Sequence, residues 1–460
     1  MASLSKAGAA LTALREDLTG EVFAPGDPGY DGARTVYNGM IDRRPAVVAQ
    51  CADGDDVVRA VRFARDLDLP IAVRGGGHSV AGMALNDGGL VVDLRRMHAV
   101  TVRPEEASAR VGGGATMGHL DRATEPHHLA TTGGRVSTTG VGGFVLGGGS
   151  GWLERKFGLA VDNLLDVDLV TADGSAVHAS ERENPELFWA LHGGGGNFGV
   201  ATSLTLRLHE LPSMAFALLL FRPEDGPGAI RVFRGIMESA PVEAGGGVLY
   251  MTGPAEEFVP ERLVGTLVCG ALLTYAGSED ELRRTAEPLL ALPHEAEVVT
   301  AIPYTELQRM NDDPPGLRNH WSAEYLTGLP DELVDVFSSR ALTMPVPTLT
   351  QHVLFPLGGA VADGPAGYPV PYRDAPWAAH PFGMWEDPAD DERCVRWVRD
   401  VRADVRPWST GAVYLNFVGD EGRDRVEAGL GPEHTRRLAE VKARYDPDNV
   451  FRFNHNIAPA

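Results

Sequence analysis

An α+β fold, with a glycine-rich ligand-binding part and an antiparallel sheet covered by helices, is what this chain of 460 residues predicts. Three observations carry that prediction. Short apolar runs alternate with an amphipathic helix near the N-terminus. Glycine is clustered, and most of its clusters fall in the first half. Beyond residue 210 they thin out, and strand-sized segments alternate with helices instead. A chain of this length is too long for one ordinary core, so two domains or three are expected.

Residues 46–50 read as a strand. Residues 55–68 read as a helix with Val57, Val58, Val61, Ala64 and Leu67 on one face and acids in its first turn. Residues 71–73 make the next strand, completing a β-α-β unit, and run into Arg74-Gly75-Gly76-Gly77-His78-Ser79-Val80-Ala81-Gly82. Three successive residues without a Cβ let backbone N–H groups approach a ligand closely, which suits the oxygens of a phosphate or diphosphate. His78 stands at the mouth of that loop, as a nucleophile beside a bound cofactor or as the surface histidine of a turn.

Residues 90–94 and 108–111 are further strands, and 116–124 a short helix. The glycine-rich track 129–151 is too long for a structureless loop unless it binds something. A strand over 165–171 ends in the turn Asp173-Gly174, Asn184-Pro185-Glu186 opens a helix, and 200–208 alternates with period two. Gly194-Gly195-Gly196-Asn197-Phe198-Gly199 satisfies G-x-G-x-x-G, but a helix precedes it and a strand follows. The dinucleotide reading therefore fails. Beyond Pro212, strands are expected at 214–221, 247–251, 266–273, 348–354 and 377–382, a helix at 390–405 and a last strand at 412–417. A helix then ends near Pro447, and the aromatic, amide-rich tail 451–457 is expected to dock.

With 63 acidic and 41 basic residues the formal charge is −22. Such a field repels nucleic acid and anionic membranes, so an anionic ligand must be held by local backbone donors. Cys51, Cys269 and Cys394 are sparse, odd in number and without metal-ligand spacing, which fits a reducing, cytoplasmic compartment. No apolar run is long enough for a signal peptide or a membrane span.

The ordered set Arg74 to Ser79, Gly140-Val141-Gly142-Gly143 with Gly147 to Gly151, Asn184 to Ala190, Gly193 to Gly199, Tyr414-Leu415-Asn416, and Tyr445 to Phe451 with Asn454-His455-Asn456 resembles the FAD-linked oxidases of the berberine-bridge-enzyme type. The resemblance covers nearly the whole chain. It implies a vanillyl-alcohol-oxidase-like fold with a PCMH-type FAD-binding domain over residues 1–210. A substrate-binding domain over 211–405 would roof the flavin, and the segment 406–460 would return to the FAD domain.

It also implies FAD bonded through His78 to the flavin 8α carbon. Many relatives add a cysteine bond, but Val136 stands at that position, so a single link is expected, as in the bacterial hydroxynicotine oxidases. Further cofactor contacts are implied at Arg74, Gly75, Gly76, Gly77, Ser79, Gly82, Val136, Ser137, Thr139, Gly140, Gly142, Gly143, Gly148, Gly151, Val200, Tyr414, Asn454 and Asn456. Thr139 either governs oxygen access or bonds its own loop. Tyr414 and His380 are the candidate bases, each with a structural alternative as a buried aromatic or a satisfied histidine. Trp152, His352, Phe355 and His380 are the expected pocket residues.

The activity implied is hydride transfer from a small alcohol or amine, a secondary metabolite or sugar-like molecule, with dioxygen reduced to peroxide. A monooxygenase-like tailoring enzyme acting on a polyketide, and a non-catalytic flavin-binding protein, are the alternatives.

Overall fold

The computed structural model describes residues 2–365 and 367–460. Its first sheet is built around the β-α-β unit. β1 (Glu21–Phe23), β2 (Val47–Gln50), β3 (Ile71–Arg74) and β4 (Leu90–Asp93) lie in the order β1-β2-β4-β3, with β2 and β3 both parallel to β4. The crossover helix Gly54–Asp66 is capped by the Asp53 side chain, which accepts from the Asp56 N–H. It buries Val57, Ala60, Val61 and Ala64 against the sheet.

A second, antiparallel sheet follows from β5 (Val100–Arg103), β6 (Ser108–Gly112), β8 (Leu164–Val170), β9 (Ala176–Ser180) and β10 (Val200–Arg207), in the order β5-β6-β10-β8-β9. β7 (Leu129–Ala130) pairs separately with β11 (His209–Glu210). Between β7 and β8 the glycine track folds into a short helix, Val141–Leu146, and tight loops.

The third sheet is large and antiparallel. It contains β12 (Ala215–Phe221), β13 (Ala244–Thr252), β14 (Leu267–Tyr275), β15 (Ala296–Ala301), β16 (Arg318–Trp321), β18 (Gln351–Pro356) and β19 (Trp377–Trp385), in the order β15-β12-β14-β13-β18-β19-β16. The short β17 (Glu324–Leu326) also pairs with β19. Strand alternation divides its side chains. Ala215, Ala217, Leu219 and Phe221 face the helices Gly226–Ser239, Glu279–Leu290 and Asp331–Ala341. Phe216, Leu218 and Leu220 face the other way, onto Trp152, Leu153 and Tyr304. One face of the sheet is thus closed by helices, and the other is turned toward the glycine loops.

The C-terminal helices return to the first half. Val413, Leu415, Leu438, Val441 and Ile457 share one core with Leu146, Leu187, Phe198 and Leu204. The tail is locked by a buried ion pair in which Lys442 Nζ donates to Asp446 Oδ2 at 2.6 Å, to the Asn197 carbonyl at 2.6 Å and to the Phe451 carbonyl at 2.9 Å. The expected strand at 412–417 is not one. Tyr414 is extended, but Leu415–Phe417 turns into a single 3₁₀ coil, because this segment is bonded through side chains rather than to a neighbouring strand.

Candidate active site

An elongated cavity of about 340 Å³ runs between the glycine loops and the uncovered face of the third sheet. Its floor is the loop that leaves β3, together with the loop and helix that begin at Thr139. These two loops touch backbone to backbone. A Cβ on Gly76 would lie 2.3 Å from the Gly140 amide nitrogen, and one on Gly140 would lie 2.3 Å from that of Gly76. Around Gly143 and Gly196, by contrast, a Cβ would meet nothing within 4 Å. Bare backbone therefore faces open space, as a flat ligand carrying a diphosphate requires.

His78 is half-buried at the edge of this floor. Its ring stacks on Tyr37 at 4.1 Å and its Nε2 shares a 2.9 Å hydrogen bond with the Thr138 hydroxyl. Desolvation lowers its pKa to about 4, against the opposing field of Asp312, so the imidazole is neutral and nucleophilic at neutral pH. Tyr37 in turn donates to Asp313 at 3.4 Å.

Also on the lining, the phenol oxygen of Tyr414 accepts three hydrogen bonds, from the Gly149 and Ser150 amides at 3.1 Å each and from Asn416 Nδ2 at 3.0 Å. Gly148 and Gly149 have φ of 126° and 85°, and a side chain on Gly148 would strike Tyr372 and Tyr414. Burial pushes the Tyr414 pKa up to about 12, and the three donors act in the opposite direction. The loop that supplies two of them is braced by Arg135, which donates to the Ser150 carbonyl at 3.3 Å and to Glu154 Oε1 at 3.0 Å.

The wall opposite the floor is aromatic. Phe382 and Trp321, paired across β19 and β16, stack at 4.0 Å, while His380 lies flat on Phe417 at 4.1 Å. His380 Nδ1 donates to the Ser322 carbonyl at 2.7 Å. A carbonyl oxygen only accepts, so the proton sits on Nδ1 and Nε2 keeps its lone pair. Desolvation lowers the His380 pKa to about 4.

Gly75, Gly76, Gly77, His78, Ser79, Val136, Thr139, Gly140, Gly142, Gly143, Phe355, His380, Tyr414 and Asn454 all line the cavity. Other expected contacts are corrected. Arg74 takes the face of β3 opposite Ile71 and Val73, which line the cavity, and points away, donating to the Ala33 carbonyl at 2.6 Å. Gly82 packs on Ile41, and Gly151 lies against the Gly133 carbonyl. Gly148 sits behind Tyr414. Ser137 is turned outward, its hydroxyl donating to Asp312 at 2.6 Å. Val200 is in the core with Val170 and Phe451, while its neighbours Gly199 and Ala201 reach the cavity. Asn456 lies beyond the lining.

Two expected pocket residues also move. Trp152 belongs to the core under β12. His352 faces the helices, stacked on Phe337 at 3.5 Å, because Gln351, Val353 and Phe355 take the cavity side of β18. Sequence reasoning missed Arg135, Asp313, Trp321, Phe382, Asn416 and Phe417. Asn416 lay inside the recognised Tyr-x-Asn motif, and Arg135 immediately precedes Val136. Asp313 and Trp321 sit in a proline-flanked loop and a four-residue strand that carry no motif.

Among the described residues no helix is long and apolar enough to cross a membrane, and no group of side chains suits a metal ion. A family model for an FAD binding domain matches residues 45–180, and a second, described as berberine and berberine like, matches residues 413–458. (R)-6-hydroxynicotine oxidase of Paenarthrobacter nicotinovorans is 32% identical over 470 residues, spanning 96% of this chain and 97% of that protein. An FAD-linked oxidoreductase of Bacillus subtilis is 30% identical over 471 residues, spanning 96% and 99%. The crystal structure of 6-hydroxy-D-nicotine oxidase from Arthrobacter nicotinovorans matches with a TM-score of 0.87 at 29% identity, over 96% of this chain and 99% of that one. Bare-backbone floor, aromatic roof and a likeness that spans both chains agree, and this protein belongs to the FAD-linked oxidoreductases of the berberine-bridge-enzyme-like family.

Proposed function

We propose that this oxidoreductase is an oxidase that removes a hydride from a carbon bearing a hydroxyl or amino group of a small molecule. FAD is held by one covalent bond through His78, and dioxygen is the final acceptor, giving hydrogen peroxide. The single observation that carries the reading is one cavity lined both by His78, on the glycine-loop floor, and by His380, on the aromatic wall, each a desolvated imidazole. The kinship with a hydroxynicotine oxidase supports the oxidase chemistry and an amine or alcohol donor.

Residues 1–210 with 406–460 form the cofactor part and 211–405 the substrate part. Bound FAD supplies the two-electron sink. The amides of Gly75 to Ser79 and Gly140 to Gly143 would hold its diphosphate, and His78 would hold the ring. Val136 offers no thiol for a second bond. On the opposite wall His380 Nε2 accepts a hydrogen bond from the substrate hydroxyl or amine and takes its proton as the C–H bond breaks. Tyr414, whose oxygen accepts from three donors, orients the neighbouring loop and ring. The three cysteines are free and buried, consistent with a cytoplasmic enzyme.

Acid precipitation tests the covalent link. The yellow chromophore is expected in the pellet of the wild type and in the supernatant of His78→Ala. Chromophore lost from the wild type, or retained by the variant, would overturn the reading. With a turned-over substrate, peroxide should form in step with product, and incorporation of labelled dioxygen into product instead would refute oxidase chemistry.

A further inference from the structure

Two of the side chains that line the cavity carry a formal charge at neutral pH, Arg135 and Asp313. They are not equivalent. Arg135 is 12% exposed and paired with Glu154, itself 3% exposed, at 3.0 Å, so its charge is cancelled within the protein. Asp313 has no cationic partner among the described residues, and its contact is the phenol of Tyr37 at 3.4 Å. The unbalanced charge of the cavity is therefore negative.

The surroundings of Asp313 match that sign. Tyr37 packs edge-on against Trp321 at 6.2 Å, and Trp321 stacks on Phe382, with Phe417 and Phe355 completing the wall. Aromatic faces attract cations through their quadrupoles, and most strongly where water is excluded. Trp321 is 8% exposed and its indole N–H has no partner among the described residues, leaving a donor for an oxygen or nitrogen acceptor of the ligand. The net charge of −22 draws cations from solution.

We propose that the substrate is a cation, an alkylated or protonated amine whose charged nitrogen is separate from the hydroxyl- or amino-bearing carbon that loses the hydride and which also bears a hydrogen-bond acceptor, with Asp313 as its counter-ion and Trp321 and Phe382 as the faces against which the charged group rests. Asp313 is thus the specificity-determining residue of this site. The inference rests on the proposed substrate side of the cavity and names the class of molecule it takes.

A binding experiment on the FAD-loaded enzyme tests this without requiring turnover. Choline and 3,3-dimethyl-1-butanol have the same shape and differ in a quaternary nitrogen against a carbon. Each is titrated while the visible flavin spectrum is followed. Choline is expected to bind at least about tenfold more tightly, and the preference should shrink as salt is raised. In Asp313→Asn the flavin content should be unchanged and the preference should fall severalfold. Burial raises the Asp313 pKa to about 6, with Asp312 adding to the rise and Tyr37 opposing it. The probe's charge is permanent, so the preference should fade as pH drops through 6. Equal binding of the two probes, binding of neither, or a preference that survives Asp313→Asn would overturn the proposal. Such results would leave the covalent-flavin test untouched, so failure of this inference and failure of the oxidase reading are distinguishable.

Discussion

His380 shows how one hydrogen bond assigns a chemical role. Its Nδ1 is committed to the Ser322 carbonyl and its ring to Phe417, so a single lone pair is presented to the cavity. Because its pKa lies near 4, protonation does not remove that lone pair at any pH above about 5. Replacing it with alanine should lower kcat by about 10²–10⁴-fold while leaving flavin content intact, measured by steady-state peroxide release with a turned-over substrate. A variant with unchanged kcat would transfer the role to Tyr414. The histidine was legible from its neighbourhood in sequence, but its tautomer was not. The tautomer depends on the Ser322 carbonyl, in the link between β16 and β17, brought alongside by the pairing of both strands with β19.

At the scale of elements, the glycine loops were readable because their chemistry is local. A run of residues without side chains, placed after a strand, states its own purpose. What the run could not reveal is that two such loops, far apart in the chain, press against each other. Gly76→Ala puts a methyl group 2.3 Å from the Gly140 nitrogen, and neither backbone has room to yield. That change should destabilise the protein by about 1–3 kcal/mol and reduce bound flavin, measured by thermal melting and by the ratio of visible to ultraviolet absorbance. His352 was misplaced for a complementary reason. Strand periodicity says that alternate residues share a face, but it leaves open which set faces the ligand, and on β18 the helices took the even one. The strand expected at 412–417 failed because alternation of apolar residues there records burial in a turn, not pairing.

For the whole molecule, the sequence revealed a glycine-rich half, a sheet-rich half and a docked tail, and the structure has all three. The aromatic wall was not legible, since it is assembled from β16, β18, β19 and the coil after Tyr414, and sequence order does not disclose which strands are neighbours. The same assembly buries neutral histidines throughout. His192, His352 and His380 are each at most 2% exposed, and desolvation lowers them to about 4, 3 and 4. In the unfolded chain they bind a proton near pH 6.5, so below that value the unfolded state takes up protons that the folded state refuses. Stability is therefore complete above pH 6.5 and falls as pH is lowered toward 4, by about 1 kcal/mol per pH unit for each histidine. Urea midpoints measured between pH 7 and 4.5 should fall accordingly, and His352→Gln should flatten the slope.

The buried clamp of Lys442 on Asn197 and Phe451 has a consequence in time. Phe451, Phe453, Asn454 and His455 line the same cavity as Gly75 and His78, so the chamber lacks a side until the segment that follows Lys442 is in place and the clamp has closed. A chain cut before Lys442 should therefore keep the His78 loop but lose one wall of the chamber, and retain no flavin after purification.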